Sequence, residues 1–139
     1  FSYVVNWING LGGKGYGLNH AVKTAELYQG LHPSIIDISS LVLVPKTGLW
    51  YIAQRGKYEE AGEVERLQEL QEFLKRLDNH TIFQAEHISV PFRVKTPIPN
   101  HKQELIDGIQ SIIDEQGEEK LRRFRTEYAS QGYSAPGEE

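Results

Sequence analysis

The chain has 139 residues, with 15 basic and 19 acidic side chains for a net charge of −4, and it contains no cysteine and no methionine. That length is about one domain. The lack of cysteine excludes a disulfide framework, a thiolate metal site, a cysteine nucleophile and an iron–sulfur cluster held by this chain alone.

No apolar run approaches the ~20 residues of a membrane span, and no charged-then-apolar signal peptide is visible. The expected location is cytoplasmic, with no membrane partner. A chain without methionine does not begin at a native start, so Phe1 is expected to lie inside a longer protein. Charge is uneven: residues 1–58 hold five basic and two acidic side chains, residues 59–139 ten and seventeen. The acidic balance argues against nucleic acid as a partner.

Residues 2–8 are β-branched and aromatic and read as a strand. Five glycines then fall in the eight positions from Gly10 to Gly17, a loop that demands unusual backbone angles or a close approach. Residues 18–29 show Leu18, Ala21, Val22, Ala25 and Tyr28 on one helical face, and Gly30 and Pro33 end that helix. Residues 35–44 are apolar on both alternations, as in a strand of a parallel sheet. Strand, helix and strand make a βαβ unit with a right-handed crossover.

Pro45 to Gly48 reads as a loop at the carboxyl end of that strand, and a short helix is expected over 49–55. A strong helix follows over 63–77, on Val64, Leu67, Leu70, Leu74 and Leu77. Residues 81–88 read as a third strand. Residues 90–99 hold three prolines and are expected to be an extended loop. Asn100 with Gln103 suggests a capping box for a helix whose apolar face is Leu105, Ile106, Ile109, Ile112 and Ile113. Gly117 interrupts it, a last helix covers 118–129, and a polar tail follows. The cluster Lys120 to Arg125, flanked by Glu118, Glu119 and Glu127, reads as a solvated helix face. Three strands do not close a barrel. They leave an open edge, which a missing part of the chain or a second copy would cover.

The glycine loop is the most informative feature. Gly10-x-Gly12-x-x-Gly15 has the dinucleotide-binding spacing and lies between a strand and a helix. Asp37 lies twenty-two residues past Gly15 but within the second strand, whereas a ribose-binding carboxylate belongs at a strand end. A phosphate loop of the Walker type is a poor fit, because Gly15 follows Lys14 where Ser or Thr would hold magnesium. None of the five histidines pairs with another at i,i+4, so no metal site is expected within the chain. His87, at a strand's carboxyl end, is the best single pocket-lining candidate. Ser39 and Ser40 lack the glycines of a nucleophile elbow. Asp37 in an apolar strand needs a partner.

Several blocks, in order, resemble the C-terminal part of radical S-adenosylmethionine (SAM) enzymes, of the group related to oxygen-independent coproporphyrinogen oxidase and Elp3. They are Asn9-Gly10-Leu11-Gly12-Gly13 after a strand, Ile38-Ser39-Ser40-Leu41 leading to Pro45-Lys46-Thr47-Gly48-Leu49-Trp50, then Gly56-Lys57-Tyr58 and Ala85-Glu86-His87-Ile88-Ser89. Ile8 and Gly10 match the family's adenine-packing pattern; Asn6 stands where its first glycine would be, and Gly13 where its glutamate would be.

The resemblance implies an α/β fold: the C-terminal portion of a partial (β/α) barrel with parallel strands over 1–98, a helical extension over 99–130 and a flexible tail over 131–139. It implies a parent enzyme that cleaves SAM reductively with a [4Fe–4S] cluster to make a 5′-deoxyadenosyl radical. The cluster belongs to the missing N-terminal half, so this chain alone has no catalytic residue, metal or bound cofactor. Ile8, Asn9, Gly10, Leu11, Gly12 and Gly13 would contact the adenosyl group, and the next helix N-terminus would hydrogen-bond the SAM carboxylate. Ser39, His87 and Ser89 would face the substrate. The other readings are a non-catalytic α/β interaction module and a Rossmann-type dinucleotide domain.

Overall fold

The structure is a computed structural model that describes residues 2–129. Its elements are β1 (Val4–Asn9), α1 (Gly17–Tyr28), β2 (Ile35–Ser40), α2 (Gly48–Gln54), α3 (Glu63–Arg76), β3 (Thr81–Ala85), β4 (Val94–Ile98) and α4 (Lys102–Phe124), with a π-helical turn at Arg125–Ala129. The tail expected at 131–139 lies outside the described residues.

The strands form one open sheet in the order β1-β2-β3-β4. β1, β2 and β3 run parallel, with Val4 opposite Ile35 and Ile35 opposite Ile82. The sequence expectation of an α/β chain with a largely parallel sheet therefore holds. β4 is the difference: residues expected to be an extended loop pair antiparallel with β3, Thr81 opposite Ile98 and Ala85 opposite Val94. Pro97 is tolerated because β4 is an edge strand, where a missing N–H costs no ladder bond on the outer side.

Pleating divides the sheet into two unlike faces. One carries Trp7, Ile36, Ile38, Phe83, Ala85 and Ile98, all buried. Against it pack Ala21, Ala25 and Tyr28 of α1, Leu67, Leu70, Phe73 and Leu74 of α3, and Ile106, Ile109 and Leu121 of α4. The other face carries Val4, Asn6 and Ile8 beside Ile35, Asp37 and Ser39, then Ile82 and Gln84. Val4 is 51% and Ile8 43% exposed, and none of these eight residues belongs to the hydrophobic cluster. Asp37 finds its partner on this face, accepting from Gln84 Nε2 at 3.2 Å.

α3 is the central helix. Its leucine stripe is as the periodicity predicts, but Val64 is only half buried while Phe73 is fully enclosed. The Phe73 ring lies 4.2 Å from that of Trp7 and meets Tyr28 edge-on at 5.9 Å. It thus joins β1, α1 and α3.

The expected capping box is not formed. His101 is the N-cap of α4 without a side-chain cap, and Gln103 instead donates to Asp107 at 2.9 Å. Residues three and four apart share a helix face, and the acceptor one turn ahead wins over a backbone N–H. The interruption at Gly117 is real, with φ at +69° inside α4. Its consequence lies on another helix. Glu118 accepts from Glu63 N and Val64 N, each at 2.8 Å, and so caps α3. The N-cap residue of α3 is Gly62, which has no side chain to do this, and a Cβ there would sit 2.8 Å from Glu118 Oε1.

Two outcomes follow. Phe73→Ala destabilises the fold by about 3–5 kcal/mol, the usual cost of emptying an aromatic core site, measured by urea denaturation. Burial pushes the Glu118 carboxyl up, but the N–H groups of Val64 and Glu63 and the Arg122 guanidinium bring it below its ordinary 4.5. The stability it contributes is therefore present above that value and lost as pH falls through its lowered one. Glu118→Gln flattens the acid limb of a stability–pH curve.

Candidate functional site

Sites in parallel α/β folds lie beyond the carboxyl ends of the strands. Here those ends meet. Leu41 N donates to Asn9 O at 3.0 Å, which joins the segment after β2 to the end of β1. Ser40 N donates to Ser89 Oγ at 2.9 Å, which brings in the segment after β3. Two of the three expected loops thus converge. The third, Pro45–Gly48, is engaged with α2: Thr47 Oγ1 donates to Val44 O at 2.7 Å and accepts from Trp50 N at 3.4 Å. No residue of α2 is buried.

The glycine loop is held from α3 and from the segment before it. Gly10 N donates to Glu69 Oε2 at 2.8 Å. Gly15 N and Gly17 N donate to Glu65 Oε2 at 2.9 and 3.0 Å. The Tyr58 hydroxyl reaches the carbonyls of Gly10 and Leu11, both at 3.1 Å. Gly10, Gly13 and Gly15 have φ near +80° to +85°, a region open to glycine. Gly13 also needs the space, since a Cβ there would stand 2.8 Å from Glu59 O. One expectation is changed by this. The N–H at the start of α1, which the sequence offers to a ligand carboxylate, is already paired with the chain's own Glu65.

Beside the loop lies a second network. Arg66 is 3% exposed. Its guanidinium donates to Ala61 O at 3.1 Å, Ser40 Oγ at 3.1 Å, Leu41 O and Glu60 Oε1. Arg125 reaches the same strand end from the C-terminal helix, donating to Ser40 Oγ and Leu41 O, both at 3.0 Å, and to Glu63 Oε1. Burial and the nearby Arg125 lower the pKa of Arg66, with Glu63 and Glu60 opposing them. A cleft of about 400 Å³ opens over this network, lined among others by Lys14, Glu59, Glu60, Glu63, Arg66 and Arg125. Its lining carries basic and acidic side chains in equal number.

Comparison with known protein families, with curated proteins and with solved structures finds no match.

The nine residues singled out in the sequence separate into four groups. Ile8, Leu11 and Gly12 are exposed, with Ile8 on the open sheet face. Asn9, Gly10 and Gly13 turn inward. Asn9 is 3% exposed and donates from Nδ2 to Arg66 O at 2.6 Å. Ser39 lies on the open face beside Ile8, its partner in register. His87 and Ser89 form a small unit at the end of β3: Ser89 Oγ is 2.7 Å from His87 Nδ1, and Ser89 N donates to the same nitrogen at 3.1 Å. Nδ1 is therefore an acceptor, which places the ring proton of the neutral imidazole on Nε2. Ser89 itself is 1% exposed. It orders the loop while His87 stands at the surface.

Sequence reasoning missed Tyr58, Glu65, Arg66, Glu69 and Arg125. A signal for the buried polar residues of α3 was present: Glu63, Arg66 and Glu69 recur every three residues, in step with Leu67, Leu70 and Phe73. Arg125 was expected on a solvated face and is half buried; Arg122 does fit that expectation, paired with Glu118 at 3.2 Å. Among the described residues no group of three or more His, Asp or Glu is placed to hold a metal. No helix there is long and apolar enough to cross a membrane.

Tyr58→Phe removes both hydroxyl bonds to the glycine loop and leaves the ring. The hydroxyl shares one proton between the two carbonyls, so the loss costs about 0.5–1.5 kcal/mol in all, read as a lower urea midpoint with faster amide exchange at Gly12 and Gly13.

Proposed function

We propose that this chain is the C-terminal portion of a radical SAM barrel with a helical extension, and that its open sheet face completes the chamber of a cytoplasmic parent enzyme. One observation carries the reading. All the core-forming helices cover one face of a largely parallel sheet, while the other presents Val4, Ile8, Ile35 and Ile82 interleaved with Asn6, Asp37, Ser39 and Gln84. Parallel sheets are ordinarily covered on both sides. A face half apolar and half polar suits the wall of a ligand chamber rather than a packed core. The order of sequence blocks, with the glycine loop after a strand, supports the same reading.

The chain has no cysteine, so the cluster ligands belong to the missing half of the barrel, its principal partner. In the parent the cluster and SAM supply reductive formation of the 5′-deoxyadenosyl radical. This chain's residues do the binding and orienting. Ile8, Leu11 and Gly12 present apolar surface and exposed backbone to the adenosyl group. Asn9, Gly10 and Gly13 fix the loop from behind. Ser39 and His87 face the substrate, and Ser89 sets the orientation of His87. The Glu65 pairing at the α1 N-terminus moves the SAM carboxylate contact to the missing half.

The coding sequence upstream of Phe1 tests this reading. A Cys-x-x-x-Cys-x-x-Cys motif after an early strand is expected, and its absence overturns it. Titration of the chain gives a second measure. Weak binding of SAM or 5′-deoxyadenosine, lost in Ile8→Asp, agrees with the proposal. Binding of NAD favours a dinucleotide domain, and binding of neither favours an interaction module. SAM cleavage by this chain alone would contradict the assignment of the cluster to the other half.

A further inference from the structure

Asn9, at the end of β1, carries an amide with two polar ends and a protein partner for one of them. The residue is buried. Its Nδ2 donates to Arg66 O at 2.6 Å. That carbonyl can only accept, so the orientation of the amide is fixed, with nitrogen toward Arg66 and oxygen away from it. Oδ1 is buried and meets no donor among the described residues. Leaving a buried amide oxygen unpaired is costly, and such atoms in folded proteins are nearly always satisfied by protein or by ordered water.

The residue beside it has the opposite surplus. Ser40 is the partner of Asn9 in the β1–β2 register, and it is buried too. Its Oγ accepts from Arg66 Nη1 at 3.1 Å and from Arg125 Nη2 at 3.0 Å. Two donors occupy both lone pairs of a hydroxyl, which leaves its proton to be given away. The Asn9 oxygen does not take that proton directly, because Oδ1 has no hydrogen-bond partner in the described chain. Both residues line one cavity of about 10 Å³. Glu63, Arg66 and Arg125 supply the rest of its polar lining, and the remaining wall is apolar. That volume admits about one water molecule and nothing larger.

We infer that this cavity is a binding site for a single ordered water, which accepts the Ser40 hydroxyl proton and donates to Asn9 Oδ1. Its second proton goes to the carboxylate of Glu63, whose Oε1 also accepts from Arg125. About three hydrogen bonds are usual for a buried water. Other occupants of that size fail on their chemistry. An ammonium ion has no lone pair for the Ser40 proton. A metal cation would face the guanidinium groups of Arg66 and Arg125. A halide would face the Asn9 oxygen and the Glu63 carboxylate. Water alone among them both accepts and donates. It joins the ends of β1 and β2 through their side chains, alongside the backbone bond from Leu41 N to Asn9 O. The site requires no other ligand and is independent of the proposed function.

A high-resolution crystal structure of the chain tests this directly. The expected result is a water about 2.7–2.8 Å from both Asn9 Oδ1 and Ser40 Oγ, the usual O–H···O separation. In solution, magnetic relaxation dispersion of water oxygen counts long-lived internal waters. Asn9→Leu keeps the size of the side chain and removes its oxygen, and is expected to lower that count by a single water. A dry cavity overturns the inference, as does a cation in it, a direct bond from the Ser40 hydroxyl to Asn9 Oδ1, or a count that the substitution leaves unchanged. Should Asn9→Leu fail to fold, the unsubstituted protein decides. Cross-relaxation between the Asn9 side-chain amide protons and a slowly exchanging water supports the site, and its absence refutes it.

Discussion

The guanidinium of Arg66 closes the carboxyl end of the sheet, and the site around it depends on that closure. β3 pairs with β2 only as far as Asp37, so beyond it the Ser40 hydroxyl and the Leu41 carbonyl find other partners. Arg66 donates to both from within α3. Its own carbonyl accepts the Asn9 amide at the end of β1. One residue therefore joins two strand ends to the central helix. Arg125 adds a second guanidinium on the same acceptors, and Glu63 and Glu60 balance the doubled charge. Like charges on a buried and a half-buried side chain are tolerated here because each is hydrogen-bonded in several directions and faced by carboxylates.

The parts of the fold that were legible in the sequence are those set by local period. The leucines of α3, the β-branched run of β1 and the glycine break at 117 all appear where the pattern puts them. The parts that were not legible depend on partners distant in the chain. β4 looks like a proline-rich loop until β3 supplies a ladder for it. Glu118 looks like one acid in a charged helix until the Gly117 kink swings it onto α3. Glu63, Arg66 and Glu69 stand beside a leucine stripe. Their spacing marked a buried edge, but what they hold, such as Asn9, which is 57 residues from Arg66, is fixed only by the folded chain. The same holds for Arg125 within a basic cluster that is otherwise at the surface.

The glycine loop shows how one segment divides its work. Its inward residues are consumed by the carboxylates of α3 and by Tyr58, so the glycines there serve backbone geometry and close approach. Its outward residues, Leu11 and Gly12, are exposed, as Ile8 is on the open sheet face. A loop fastened this firmly presents its outer side in a fixed shape, the condition for recognising a ligand without a large ordering cost.

The two edges of the sheet are chemically unlike. β4 carries Lys95 and Pro97 within its five residues, features that discourage a further strand. β1 is Val-Val-Asn-Trp-Ile-Asn, with neither lysine nor proline, and its outer row of backbone groups faces away from β2. The two edges are thus guarded unequally: the residues that blunt a sheet edge stand on β4 and are absent from β1. Whatever protects the β1 edge from pairing with another strand has to come from outside the strand's own side chains.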